Sequence, residues 1–231
     1  MILPGRRNSG IRKLPGPIVD NGSYFVVLLD TSRSMRETRV AAEETLFSLQ
    51  LAQVNSFGTA LFKGKNNDKM QLLFVHFDGV VAQGWTPLAE LPRLKDEDLP
   101  ESACSPVLDT LSAALELFEK IKIEAMKKQA AVNCGLLVVT DGLDGITIGD
   151  RSYPISVRGV EDVRKQIARF QARDYHAHAL AIGSDGGAEV SDFFLKLGFE
   201  PDLIFKSGLN ESELRKQFNV ASQSLVSDLY A

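Results

Sequence analysis

Apolar runs alternate with amphipathic segments from Ser23 to the end of the chain, and this alternation limits the possible folds more than any other feature. Short apolar runs bounded by polar residues are typical of strands that are buried on both faces of a parallel sheet. We predict such strands at 24–29, 70–77, 131–140, 176–182 and 203–206.

The segments between these runs repeat their apolar residues every three or four positions, as amphipathic helices do. The pattern predicts helices over 36–54, 106–127, 160–173, 188–197 and 211–230. Asp78-Gly79 is a turn signal, after which Val80–Trp85 is predicted to return as an antiparallel edge strand. Alternating strands and helices imply right-handed crossovers. The expected fold is therefore α/β: a doubly wound, mostly parallel sheet with one antiparallel edge strand and helices on both faces.

The length of 231 residues suits one domain of this class, which we place at 23–231. Residues 1–22 form a separate N-terminal segment, predicted to be a flexible basic tail with Arg6, Arg7, Arg12 and Lys13. An arm that lies along the domain, or a tail that binds an acidic surface, remains an alternative for this segment.

Charge and composition favour a cytoplasmic protein. The formal net charge of −4 gives no general attraction for nucleic acid. No apolar stretch approaches the ~18 residues that a membrane-spanning helix needs, and the N-terminus lacks the apolar core of a signal peptide. The two cysteines, Cys104 and Cys134, suggest neither a disulfide framework nor a zinc site, and Cys134 is expected to be a core thiol.

Oxygen-bearing side chains stand at three places that this fold brings to one sheet edge. Asp30, Ser32 and Ser34 follow the first strand at alternate positions, Ser105 opens the helix predicted from 106, and Asp141 follows the strand at 131–140. In open α/β sheets, ligands bind at the carboxyl ends of the strands. Carboxylates with hydroxyls make an all-oxygen site, which selects Mg²⁺, Mn²⁺ or Ca²⁺ over zinc.

These segments resemble the motifs of the von Willebrand factor A (VWA) domain family. Leu28–Met35 resembles the D-x-S-x-S signature, Val138–Gly142 resembles the T-D-G strand end, and Ser105–Asp109 resembles the T-P-L-x-D helix opening. In the family these motifs form the metal-ion-dependent adhesion site. The resemblance covers roughly residues 23–206 and implies that the five side chains hold one divalent cation.

The resemblance also implies a function. Such a domain is a protein–protein interaction module and not an enzyme, and a partner's Asp or Glu completes the coordination of the ion. The segment 85–91 looks most like bacterial intracellular members associated with tellurite resistance and conflict systems. That likeness implies an adaptor whose partner is an ATPase or another member of the same system.

Two departures from the family pattern bear on the site. Ser105 stands where the family usually has threonine, and Arg33 stands where glycine is commoner. Serine keeps the hydroxyl and loses the methyl group. Arg33 adds a cation that could contact a partner's acid or weaken metal binding.

Each part of the motif also has a purely structural interpretation. Ser34 with Glu37 matches a capping box, Ser105 before Pro106 matches a helix N-cap, and Asp141-Gly142 matches a turn. Asp30 is harder to explain in this way, because it follows an apolar run and must find a partner near the sheet. His176 and His178 could ligate zinc, but without a third ligand we interpret them as ordinary strand histidines.

Two other functions remain open. One is a Mg²⁺-dependent phosphoryl-transfer enzyme or hydrolase, although the sequence has no phosphate loop, no Gly-rich dinucleotide turn and no G-x-S-x-G motif. An aspartyl phosphatase would also want a second aspartate where Ser32 stands. The other is a structural scaffold that never binds a metal.

Overall fold

The computed structural model describes residues 14–62, 69–77, 81–87, 90–102, 105–148, 151–153 and 155–230. The strands are β1 (Gly22–Leu29), β2 (Met70–His76), β3 (Val81–Pro87), β4 (Val132–Thr140), β5 (Ile146–Ile148), β6 (Arg151–Tyr153), β7 (His176–Ile182) and β8 (Ile204–Ser207). The helices are α1 (Arg33–Glu37), α2 (Leu46–Phe62), α3 (Val107–Lys128), α4 (Val160–Gln171), α5 (Ala188–Leu197) and α6 (Glu211–Tyr230).

Six strands form the main sheet, in the order β3-β2-β1-β4-β7-β8. All neighbours in this sheet are parallel except β3, which runs antiparallel to β2 at the edge. This arrangement confirms the predicted α/β fold and its antiparallel edge strand. The order reverses at β1, since β2 lies on one side of it and β4 on the other. The carboxyl ends of β1 and β4 are therefore neighbours at the point where such sheets bind ligands.

The central strand β1 is buried on both faces, which explains its continuous apolar sequence. Val26 and Leu28 pack into the apolar layer under α3 and α4, whereas Phe25, Val27 and Leu29 pack into the layer under α2 and α6. All five side chains are fully buried. The packing leaves no room at Gly135 of β4, where an added Cβ atom would lie 2.5 Å from the Phe25 ring.

The single helix predicted over 36–54 is wrong, because the chain leaves the helix after Glu37 and re-enters it at Leu46. The Leu46 amide donates to the carbonyl of Thr38 at 2.9 Å, which closes the intervening residues into a loop. The Glu44 carboxylate in this loop accepts two hydrogen bonds from Arg215 of α6, at 3.0 and 3.1 Å. Tertiary contacts therefore override the helical periodicity here.

The hairpin β5–β6 was not predicted from the sequence. It follows Gly145 and pairs Ile146 with Tyr153. Before β1, Leu14 and Val19 are buried, and the indole of Trp85 donates to the carbonyl of Pro15 at 2.7 Å. All the basic residues of the predicted tail lie outside the described residues. The predicted Asp78-Gly79 turn also lies outside them. None of the helices in the described ranges is long and apolar enough to cross a membrane.

Candidate metal site at the carboxyl edge of the sheet

Asp30 is the most deeply buried member of the candidate site. It directly follows β1, and its exposed fraction is 0%. Its Oδ1 atom accepts from the Ser32 amide at 2.9 Å and from the Ser105 hydroxyl at 3.3 Å. Its Oδ2 atom accepts from the Thr140 hydroxyl at 2.7 Å. One carboxylate thus contacts the loop after β1, the segment before α3 and the end of β4.

The other predicted residues are connected to the same group. The hydroxyls of Ser32 and Ser34 lie 3.0 Å apart, and Ser34 donates to Asp141 Oδ1 at 3.0 Å. The structure therefore brings all five predicted side chains together. We call this set the oxygen cluster: Asp30, Ser32, Ser34, Ser105 and Asp141.

The capping interpretation of Ser34 is wrong. The N-cap residue of α1 is Ser32, which makes no side-chain capping bond, and Ser34 lies within the helix. Glu37 does not reach back to Ser34, because its carboxylate accepts from Arg33 Nε at 2.6 Å. The hydroxyl of Ser34 is directed to Asp141 instead.

The capping interpretation of Ser105 is wrong as well. Helix α3 begins at Val107, and its N-cap residue is Pro106. The hydroxyl of Ser105 donates to Asp30, and the free amide of Leu108 is satisfied by Asp144 Oδ1 at 3.1 Å. Both serines thus turn their hydroxyls into the cluster and not onto the helix amides.

The two carboxylates of the cluster differ in burial, since Asp30 is fully buried and Asp141 is half-buried. Burial raises the pKa of Asp30, against the opposing hydrogen bonds from Ser32, Thr140 and Ser105. Burial, followed by the charge of Asp30, raises the pKa of Asp141 to about 7. Within the described ranges, neither carboxylate has a cationic partner. A positive charge at this point would lower the pKa of both carboxyl groups.

The donor set fits a hard divalent cation. Two carboxylates and three hydroxyls provide only oxygen atoms, which suit Mg²⁺, Mn²⁺ or Ca²⁺. Over the part of the chain that the structure describes, no group of three or more His, Cys, Asp or Glu side chains could hold a metal. The oxygen cluster is not a group of that kind, because three of its five side chains are serines.

Two residues that the sequence interpretation did not assign also hold Asp30. Thr140 donates to the carboxylate and accepts from the Gly142 amide at 3.0 Å. Gln50 of α2 is 2% exposed, and its Nε2 atom donates to the Asp30 carbonyl at 3.0 Å. Thr140 stands inside the T-D-G motif and could have been found there, whereas Gln50 belongs to no motif.

Asp144 and Asp109 hold the loops beside the cluster. Asp144 accepts from the amides of Leu108 and Ser156, at 3.1 and 3.3 Å. Asp109 accepts from the amides of Val157 and Arg158, at 2.9 and 2.8 Å. The loop after β4 and the loop before α4 are thereby fixed to the first turn of α3.

The histidines and the cysteine behave as strand and core residues. His178 is fully buried, and its Nε2 atom lies 3.3 Å from the Ser224 hydroxyl. Cys134 is 1% exposed, and burial raises the pKa of its thiol to about 12, which confirms the predicted core thiol. Cys104 lies outside the described residues.

Comparison with known proteins adds information about the fold alone. No protein-family model and no curated protein matches the chain. Two crystal structures of the pilus adhesin SpaC from Lactobacillus rhamnosus GG are similar, with TM-scores of 0.58 and 0.60 at 10% and 11% identity. Each match covers 94% of this chain and about a third of the adhesin (32% and 31%). The VWA domain of SpRpn10 gives a TM-score of 0.49 at 12% identity, over 87% of this chain and 95% of that domain.

Proposed function

We propose that this chain is a VWA-type interaction module that binds one divalent cation through the oxygen cluster and uses the ion to bind an acidic side chain of a partner protein. The observation that carries the proposal is the convergence of Asp30, Ser32, Ser34, Ser105 and Asp141 from three chain segments into one hydrogen-bonded group. The α/β fold, with the motifs at the ends of β1 and β4, supports it further.

The ion, when bound, supplies a positive charge that can accept a carboxylate oxygen from outside the chain. The protein's own residues determine where that charge lies. Thr140 donates to the Asp30 carboxylate and Gln50 to its carbonyl, whereas the Asp141 carboxylate accepts from the Ser34 hydroxyl and its own backbone amide. We therefore assign Asp30 as the fixed acidic ligand and Asp141 as the one that adjusts.

The two departures from the family pattern are compatible with this role. Ser105 reaches Asp30 with its hydroxyl, so the missing methyl group of threonine does not remove the contact. The side chain of Arg33 is 74% exposed and pairs with Glu37, outside the oxygen cluster. A partner's acid would compete with Glu37 for this guanidinium.

The proposal extends to the cellular location of the protein and to the system in which it acts. We infer a cytoplasmic adaptor in a bacterial tellurite-resistance or conflict system, with an ATPase or another member of that system as the partner. This inference depends on the resemblance of segment 85–91, of which residues 88–89 lie outside the described residues.

A nucleophilic role for Asp30 is the main enzymatic alternative, and its environment argues against it. Both carboxylate oxygens accept hydrogen bonds, and the group is fully buried. The metal-free scaffold is favoured by a different observation, namely that the cluster satisfies itself with internal hydrogen bonds. The interaction module and the metal-free scaffold therefore differ in one property, which is the binding of a cation.

Paramagnetic broadening by Mn²⁺ locates a bound ion directly. We expect the amide signals of Asp30, Ser32, Ser105 and Asp141 to broaden first in a titration of ¹⁵N-labelled protein, and an excess of Mg²⁺ to restore them. The Asp30→Asn variant should lose this pattern, whereas Asp202→Asn, an exposed aspartate before β8, should keep it. Broadening spread over surface carboxylates in all three proteins would contradict the proposal.

A further inference from the structure

Exposed apolar side chains lie beside the oxygen cluster, in the segments that follow Asp141. Leu143 and Val157 are 39% and 74% exposed. Both belong to the loops that the carboxylates of Asp144 and Asp109 hold beside the cluster. We call these two residues the apolar rim. Single exposed apolar residues need no explanation, but a group beside a binding site indicates a contact surface.

The backbone that carries the apolar rim is fixed, although the side chains are exposed. Asp144, next to Leu143, accepts from the Ser156 amide and hydroxyl, and Val157 follows Ser156. The Val157 amide in turn donates to Asp109, which is 8% exposed. Leu143 and Val157 are therefore held near each other by buried or half-buried carboxylates. A fixed apolar surface loses little conformational entropy when a partner covers it.

The reach from the cluster to the rim matches the spacing of side chains along a peptide. Leu143 is two residues beyond Asp141, so their Cα atoms are at most about 7 Å apart. A partner whose carboxylate is bound at the cluster carries its next side chains at the same spacing. A residue one to three positions from that acid can therefore lie on the apolar rim.

The surroundings of the cluster differ between its two sides. On the β1 side, α1 presents the charged pair Arg33–Glu37. On the β4 side, the carboxylates of Asp144 and Asp109 accept backbone amides of the loops, and the apolar side chains of Leu143 and Val157 are exposed. An extended segment would therefore be oriented, with its apolar residue directed to the β4 side.

We propose that the partner is a protein loop in which an Asp or Glu has a large apolar residue within three positions, and that this apolar residue packs on Leu143 and Val157. The inference rests on the proposed function, because the acid is the group that the ion binds. The ion supplies the attraction for the acid, and the apolar rim selects among acidic segments. Partial burial of one aliphatic side chain corresponds to roughly a tenfold gain in affinity.

Selection from a displayed library of random peptides tests this partner chemistry without a known partner. Peptides are captured on the full chain in Mn²⁺ and released with chelator. The expected motif is an acid with Leu, Ile, Val, Met or an aromatic residue within three positions. Synthetic peptides of that motif should bind about tenfold more weakly to Leu143→Ser/Val157→Ser than to the wild type. Leu195→Ser is the matched control, since Leu195 is 40% exposed near the end of α5, and it should bind like the wild type.

The outcomes separate this inference from the proposed function. Acidic peptides with no apolar preference, or equal affinity for the wild type and the double variant, would overturn the apolar rim and leave the cation site standing. A library that yields no chelator-released peptide would contradict the proposed function and this inference together. Mn²⁺ binding by the double variant should equal that of the wild type, and a loss of it would show that the substitutions damaged the cluster instead.

Discussion

Ser34 donates a hydrogen bond to Asp141 Oδ1 at 3.0 Å, although the two residues are 107 positions apart in the chain. The bond joins α1, which follows β1, to the loop after β4, across the point where the strand order reverses. This hydrogen bond and one from the backbone amide of Asp141 lower the pKa of Asp141, whereas burial and the charge of Asp30 raise it. Because the net effect raises the pKa, the stability of the metal-free protein should depend on pH.

The first prediction concerns this dependence on pH. The pKa of Asp141 is raised to about 7 in the folded protein by burial and by Asp30. A raised carboxyl pKa costs stability that grows as pH rises from the unfolded value near 4 to the folded value near 7. In chelator, Asp141→Asn should therefore unfold at a higher Tm than the wild type at pH 8, by roughly 1–4 kcal/mol in stability. At pH 4 the two proteins should unfold together.

Thermal unfolding followed by circular dichroism at both pH values gives the comparison. Asp202→Asn serves as the control and should match the wild type throughout, because Asp202 is exposed and lies before β8. Addition of Mg²⁺ at pH 8 should raise the Tm of the wild type more than that of Asp141→Asn. A lower Tm for Asp141→Asn in chelator at pH 8 would show that Asp141 supports the fold.

The second prediction concerns Asp144, which holds the loop after β4 to the start of α3. Asp144→Ala removes the acceptor for the amides of Leu108 and Ser156, and should destabilise the fold by about 1–3 kcal/mol. It should also weaken Mn²⁺ binding, because Ser105 and Asp141 lose their fixed separation. Chemical denaturation and calorimetry measure the two effects. Destabilisation with unchanged Mn²⁺ affinity would show that the loop does not position the ligands.

The third prediction concerns Arg33, whose guanidinium pairs with Glu37 in the free protein. If it contacts the partner's acid, Arg33→Glu should weaken chelator-sensitive peptide binding more than Arg33→Ala, because like charges then face each other. Neither change should alter the Tm, since the side chain is 74% exposed. If both variants bind the peptide with the same affinity as the wild type, Arg33 is a solvated residue without a role in binding.

The fourth prediction is the absence of hydrolase activity. Asp30 is buried and has both oxygens occupied by hydrogen bonds, so no free nucleophile is available at the cluster. We expect no turnover of a generic phosphomonoester in Mg²⁺ or Mn²⁺. Turnover that survives repurification and disappears in Asp30→Asn would establish an enzyme instead.

The sheet and most of the helices could be predicted from the sequence, because buried parallel strands and amphipathic helices carry strong periodic signals. The loop between α1 and α2 could not, since no Gly or Pro interrupts the pattern there. Its determinants are the distant Arg215 and the reciprocal bonds of Thr45 and Ser48, at 3.2 and 2.9 Å. Thr45 and Ser48 mark the start of α2 in the sequence, but the helical periodicity over 36–54 runs through them and favoured one continuous helix.

The five cluster residues were predicted because their motifs stand at the ends of β1 and β4 and before the start of α3. Gln50, Asp144 and Asp109 were missed as supports, because their partners are backbone groups that only the folded chain brings near. The capping interpretations of Ser34 and Ser105 failed for a similar reason. Local spacing favours a helix cap, whereas in the folded chain Ser34 donates to Asp141 and Ser105 donates to Asp30.

Calorimetric titration with Mn²⁺ at pH 7.5 is the direct test of cation binding by the oxygen cluster, with wild type, Asp30→Asn and Asp202→Asn compared in the same buffer. We expect one site in the wild type and in Asp202→Asn, and no measurable binding by Asp30→Asn. We also expect Mn²⁺ at a hundredfold excess over its Kd to stabilise the wild type by about 2.7 kcal/mol. Absence of binding by the wild type at millimolar Mn²⁺, or equal binding by Asp30→Asn, would contradict the claim that the oxygen cluster is a metal site.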